Sequence, residues 1–594
     1  MKLASSVGAV LTGALFALSS IGCSGDTKAG SENGVCAVGQ YKCNGDTLQV
    51  CNASRTGWGD LMTCPPNTCV QAQGRCSGED GGVGGSGGTG GAGGSGGTGA
   101  GGGTGGTAVG GSGGTASGGT GGGSGSAGAS GAAGFGPDDA CRWSVDSKLD
   151  FNDPNLEGPQ DVAVSADGYT YIGGAFETGL DFGGSYTKGV AEDHLDAFVL
   201  KMDSMVAAQP TWLRTIGGAG LQQVEAVASG PQGNTVVVGV AMRTSFSAVE
   251  ADFGDFGGPV LSVDPPARRG WLMLLNDQDD LVWQPKLLAS GAVSPASAAI
   301  DSVGDILIVG SAESAADFGC GTGSTTGHMF LVKLSGADGG CLWDQRFGSG
   351  DPAPEAMSLA VGPDDMPVIG GYFHEDFAVL GSQLSSKGIQ DGFVIRFDAD
   401  GQTVGPVVTF GYPNDQQIVL AVAVDSKGRI LAAGMFNREV DLGAAQNEPA
   451  PVPGSSNAFI VRIDETGAKG PYRVFGHANL AEAQALQIGP NDDVLVVGGL
   501  VGDSDFGNGT VSRTAPGLNA FVAVFEQSQS ALDLAWVNTA KSAGGGQTVN
   551  AGRTYIDGDA VVVGGYQGDL TFGCANLTDS GGYDLGFAAR VGPK

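Results

Sequence analysis

The chain has 594 residues, 110 of them glycine, and a formal net charge of −33. So acidic a chain is repelled by nucleic acid and by bare anionic lipid, which removes both as partners; the charge is read as a solubility device, with an acidic site for cations or basic ligands as the competing reading. Length alone suggests about four domains, a prior that the internal repetition of the second part overrides.

Met1 and Lys2 precede an apolar run, residues 7–18, and then small residues, so 1–22 reads as a secretory signal too short to span a membrane. Gly22-Cys23 resembles the lipobox at which bacterial lipoproteins are cleaved and acylated, although Ser20 stands where that motif usually has Leu, Val or Ile. The resemblance implies a lipid on Cys23 and a mature chain that begins there, with an ordinary secreted protein as the alternative. Ser24 follows, which by resemblance to the sorting rule of enteric bacteria favours the outer membrane. Beyond residue 23 no stretch approaches the roughly 18 apolar residues of a spanning helix, so the membrane enters only through the lipid anchor.

After a tether, 23–35, come six cysteines within 36–76: Cys36, Cys43, Cys51, Cys64, Cys69 and Cys76. In a secreted chain this even count in a short stretch reads as a disulfide-stapled module, because so few residues bury too little apolar surface alone. Zinc is the competing reading, but the segment has no CxxC pair and no His. The connectivity stays open among about 15 possibilities. Residues 77–139 are almost all Gly, Ser, Thr and Ala and read as a flexible coil that cannot offset its own ordering entropy. Its reach is roughly 40 to 45 Å.

From 140 to 594 one pattern recurs seven times. In the clearest copy, 420–464, AVAVD is followed by SKG, RILAAG, a polar loop with VDLG, and NAFIVRID. The apolar runs are short, rich in Val and Ile and bounded by Gly, Asp or Asn, so they read as strands, the first two joined by a tight hairpin. An aromatic or apolar strand precedes most copies, for example TWLRTIGG at 211 and CLWDQRFG at 341. Repetition of a unit of three or four strands without helical periodicity predicts an all-β seven-bladed β-propeller. Residues 196–203, DAFVLKMD, followed by Trp212 and Gly217-Gly218, resemble the repeat frame of the SBBP family, bacterial proteins named for a seven-bladed β-propeller repeat; the second and seventh copies depart from it. The resemblance implies the propeller and a family of mostly obscure binding roles.

Asp181-Phe182-Gly183, Asp317-Phe318-Gly319 and Asp505-Phe506-Gly507 spell a kinase motif, but no HRD accompanies them and versions recur around the ring. The structural reading is that Asp ties a turn, Phe fills the gap between blades and Gly takes positive φ. Likewise Asp398-Ala399-Asp400-Gly401 opens like a calcium loop but lacks its closing Glu, which favours a hairpin turn. His194, His328, His374 and His477 lie in different copies, no HExxH occurs, and no catalytic residue, metal or cofactor is indicated. Of eleven cysteines four remain, Cys141, Cys320, Cys341 and Cys574. Cys574 occupies in the last copy the place of Cys320, and Cys141 opens CRWSV as Cys341 opens CLWDQ. Cys320 is therefore expected to bond Cys341, and Cys141 to bond Cys574, with the strand at Cys141 completing the last blade. The function expected is a monomeric binding or interaction protein, held at the cell surface or secreted, whose partner is an extracellular protein or glycan. The alternative is a secreted hydrolase or lyase with its site in the central channel.

Overall fold

The computed structural model describes residues 158–592, less 178, 183–185, 189–194, 204–208, 244–248, 264–267, 314–315, 322–326, 349–352, 380–381, 445–447, 451–454, 477–479, 508–509, 512–516, 541–546, 556–557, 568–569, 573–574 and 578–583, together with the strand backbones 41–44, 47–51, 58–63, 69–70, 75–76 and 141–151. In the cysteine-rich segment, Tyr41–Asn44, Thr47–Cys51 and Trp58–Thr63 form a three-stranded antiparallel sheet. Cys69–Val70 pairs with Arg75–Cys76, which places Cys69 opposite Cys76 on the backbone. Cys23, Cys36, Cys64, Cys574, His194 and His477 lie outside the described residues, as do the side chains of Cys43, Cys51, Cys69, Cys76 and Cys141.

The second part is an all-β seven-bladed propeller. Seven four-stranded antiparallel sheets follow one another, each in simple meander order. With strands named A to D from axis to rim, the A strands are Gly158–Val164, Leu221–Ser229, Val293–Ile300, Glu355–Val361, Gln417–Val424, Leu480–Ile488 and Gln547–Thr554. Each A strand packs against the next, and the seventh returns to the first, so the ring closes. Closure is made by the start of the domain: Cys141–Phe151 pairs with Asp584–Val591 and is the D strand of blade 7.

The strands form because alternate Val, Ile, Leu and Phe side chains leave each sheet on opposite faces and meet those of the neighbouring blades. Seven apolar clusters result, one per junction. Junction 5/6, for instance, stacks Phe475 of blade 5 on Phe506 of blade 6, ring centroids 4.9 Å apart. The DFG-like motifs have the structural role expected of them. Asp317, Asp441 and Asp505 accept the N–H of Gly319, Gly443 and Gly507 at 2.7–3.0 Å, those glycines have φ of 86°, 86° and 108°, and Phe318, Leu442 and Phe506 are buried. Asp398 likewise caps its own hairpin turn, accepting from Asp400 and Gln402.

Two details differ from the sequence reading. The B–C loops are not merely polar: in every blade but the third, a small two-stranded ladder is described there, such as Asp376–Val379 with Ser382–Ser385. The D strands of blades 2 and 4 shrink to Lys286–Leu287 and Val408–Phe410. Pro285 and Pro406 stand at their starts and have no N–H to give the ladder. In blade 3 the third B–C loop is tied instead by a disulfide, Cys320 to Cys341, which joins it to the start of the D strand with Cα atoms 5.1 Å apart.

Candidate functional site

The A strands enclose a channel of about 550 Å³. Every A strand carries a β-bulge at the same place, between Pro159 and Asp161, Val224 and Ala226, Pro295 and Ser297, Ala356 and Ser358, Val419 and Ala421, Ala483 and Ala485, and Val549 and Ala551. A bulge inserts one unpaired residue and re-aims it. The seven inserted residues, Gln160, Glu225, Ala296, Met357, Leu420, Gln484 and Asn550, all line the channel. They make a ring with two arcs: amides and a carboxylate on blades 6, 7, 1 and 2, apolar groups on blades 3, 4 and 5. Three residues further along, Ala163, Ala228, Ala299, Ala360 and Ala423 hold in their blades the position that Gln487 and Arg553 hold in blades 6 and 7.

In blades 1, 3 and 4 the residue after the bulge stitches blades together. Asp161 accepts Val227 N–H at 2.9 Å, Ser297 accepts Leu359 N–H at 3.3 Å, and Ser358 accepts Val422 N–H at 3.1 Å, each from the following blade. Asp161 also accepts Val162 N–H and pairs with Arg553 Nη2 of blade 7 at 3.3 Å. Burial pushes its carboxyl up, opposed by Arg553 and by the two N–H bonds. Glu225 is pushed up to about 7 by burial, with Arg268 opposing, and the same burial brings Arg268 down to about 10. On blade 6, Glu482 is pushed up to about 7 by burial while accepting a bond from Gln484 Nε2 at 3.1 Å.

His328 immediately precedes the C strand of blade 3 and His374 immediately follows the B strand of blade 4, so the described histidines do not converge. The sequence reading missed Asp161, Glu225, Glu482 and Arg553. Their signal is internal: where the clearest copy reads Ala421-Val422-Ala423, blade 1 has Asp161 at the first place and blade 7 has Arg553 at the third. Such departures stand out only when the copies are aligned on the bulge.

No family model matches the chain, and no curated protein matches it. Solved structures with similar coordinates are Sqt1 from Chaetomium thermophilum (10% identity over 76% of this chain and 99% of that one, TM-score 0.35) and a protein of unknown function from Dyadobacter fermentans (10% identity over 76% and 99%, TM-score 0.34). A third is polysaccharide lyase Uly1, with 11% identity over 73% of this chain and 90% of that one and a TM-score of 0.39. At these identities and scores the likenesses carry no functional argument.

Proposed function

We propose that the chain is a binding protein that takes an extracellular glycan or protein at its channel and loop face, displayed on the Gly-rich segment from a lipid on Cys23. One observation supports this above the others: the ionisable groups that line the channel are engaged by the protein itself. Asp161 pairs with Arg553, Asp492 accepts from Ser426, and Glu225 is opposed by the charge of Arg268 behind it. The surface this leaves is amide on one arc and apolar on the other, suited to recognition through hydrogen bonds and contact rather than to proton transfer. The second reading, a channel hydrolase or lyase, draws on Glu225, which lines the channel and is pushed up to about 7 by burial.

The test is a screen of the full secreted chain against glycans, extracellular proteins and model glycosidic and ester substrates. Binding without turnover, weakened by Gln160→Ala or Asn550→Ala, is the expected outcome; turnover abolished by Glu225→Gln would establish the second reading instead. Anchoring is checked separately: Cys23→Ala should release the protein from the membrane fraction and block palmitate incorporation.

A further inference from the structure

Besides the seven junction clusters there is an eighth, on the axis side of blades 4 and 5, made of Tyr372, Ile418, Leu420 and Met435 with Met357 against it. In strands, residues two apart share a face. The faces that build this apolar floor therefore continue toward the loop face of the ring as Tyr372 to His374, Met435 to Asn437, and Leu420 through Ile418 to Gln416. There the side chains turn polar and join into one relay. Asn437 Nδ2 donates to Gln416 Oε1 at 3.4 Å, Gln416 Nε2 donates to Gln390 Oε1, Gln390 Nε2 reaches His374 Nε2 at 3.3 Å, and His374 Nδ1 meets Ile389 O at 3.1 Å.

The direction of this relay is set by its end. A carbonyl only accepts, so His374 carries its proton on Nδ1 and its Nε2 accepts from Gln390, an assignment made by the network. Gln390 and Gln416 then each spend one N–H and one lone pair on their neighbours and Asn437 spends one N–H, which leaves each amide a further N–H and a further lone pair. The relay carries no formal charge. His374, Gln390, Gln416 and Asn437 are all partly exposed, and Ile389 beside them is 63% exposed. Glu375 and Asn414, next to His374 and Gln416, hold φ of 48° and 57°, so the two loops that set the relay are kept in a conformation non-glycine residues seldom adopt.

We infer that this mouth of the channel is a subsite for the edge of a neutral sugar ring, its hydroxyls on the relay of His374, Gln390, Gln416 and Asn437 and its C–H face toward Met357 and Leu420, the members of that cluster that line the channel. The inference rests on the binding reading of the channel and names the ligand class for one arc. Spare donors and acceptors on alternating amides match vicinal hydroxyls, which both give and take hydrogen bonds. The relay itself carries no countercharge for an acidic sugar or phosphate, Arg438 beside it acts on Asp415, and such a ligand would approach a protein of net charge −33.

Calorimetry on the full chain with maltohexaose, cellohexaose and chitohexaose, alongside an oligogalacturonate and an uncharged peptide, tests this. One neutral oligosaccharide should bind, Gln390→Ala and Gln416→Ala should each weaken it about fivefold to tenfold, the loss of a neutral hydrogen bond, and Lys427→Ala on the opposite face should leave it unchanged. Gln390→Asn and Gln416→Asn, with unaltered thermal unfolding, separate lost recognition from lost folding. Binding only of the acidic oligomer or the peptide, or sugar binding indifferent to Gln390 and Gln416, overturns the subsite. If that same ligand is lost in Asn550→Ala, the channel reading survives its failure; if nothing in the wider screen binds, the channel reading itself falls.

Discussion

Asp279 sits in the C–D turn of blade 2 with φ of 67° and draws in four side chains of blade 1. Its carboxylate accepts from Tyr171, Lys201 and Trp212 at 2.8–2.9 Å, and its carbonyl accepts from Arg214. Lys201 is 3% exposed and lies 4.1 Å above the Tyr169 ring. Asp279→Ala would leave that ammonium buried without its carboxylate and should cost about 3 to 5 kcal/mol by urea unfolding; Asp279→Asn, which tolerates positive φ and keeps an acceptor, should cost clearly less. Glu482 offers a test of opposite sign. Burial raises its pKa from 4.5 to about 7, so between those values the folded protein holds a proton that the unfolded chain has released. Stability therefore falls as pH rises from about 4.5 to about 7 and levels off above, an effect of up to about 3 kcal/mol. Glu482→Gln should flatten its share of that slope and stabilise the protein at pH 8, Glu225 and the other carboxyls raised by burial supplying the remainder; an unchanged slope of unfolding free energy against pH would refute the assignment. None of these residues was legible as a site beforehand, because Lys201 and Asp279 lie in different copies and meet only when blades 1 and 2 pack.

The elements themselves were far more legible. Period-two runs of Val and Ile bounded by Gly and Asp gave the A, B and C strands, and repetition gave their number. The ladders in the B–C loops escaped because two- to four-residue strands have no period to show, and the bulges escaped because one inserted residue in a Val-Ala run leaves its hydrophobicity unchanged. The turns are legible in another way. Ser302 gives its N–H and hydroxyl to Asp365 of the next blade, and Ser426 does the same to Asp492. Asp365 and Asp492 hold φ of 57° and 61° where blades 2, 3 and 5 have Gly233, Gly304 and Gly428. Asp492→Gly would relieve the backbone but remove both bonds, and the net should be a loss of about 1 kcal/mol, seen as a small fall in the urea midpoint. Truncating Phe506, buried among Phe475 and Phe521, should cost about 3 to 5 kcal/mol. A kinase-like role for the Asp-Phe-Gly sequence would instead leave stability untouched.

At the scale of the whole molecule, the propeller has one seam. Six blades take all four strands from consecutive sequence, whereas blade 7 takes its D strand from Cys141–Phe151. The break lies inside blade 7, between its C and D strands, and is held by the ladder from Asp584 to Val591; the D strand then leads in sequence to blade 1, whose packing on blade 7 adds Asn550 Nδ2 on Pro159 O at 2.9 Å. The register sets Cys141 opposite Val591, the place that Cys341 takes opposite Leu334 in blade 3, where it is bonded to Cys320. Cys574 holds in the last copy the place of Cys320. A bond between Cys141 and Cys574 would close a loop of over 400 residues and, on the chain-entropy model, contribute about 5 to 6 kcal/mol as an upper bound. Peptide mapping of the unreduced secreted protein should therefore find Cys141 joined to Cys574 and Cys320 joined to Cys341. Cys141→Ser with Cys574→Ser should lower stability far more than Cys320→Ser with Cys341→Ser, because the second pair encloses only 21 residues. Four free thiols, or Cys141 joined to Cys320 or Cys341, would mean that the seam is closed by strand pairing and packing alone.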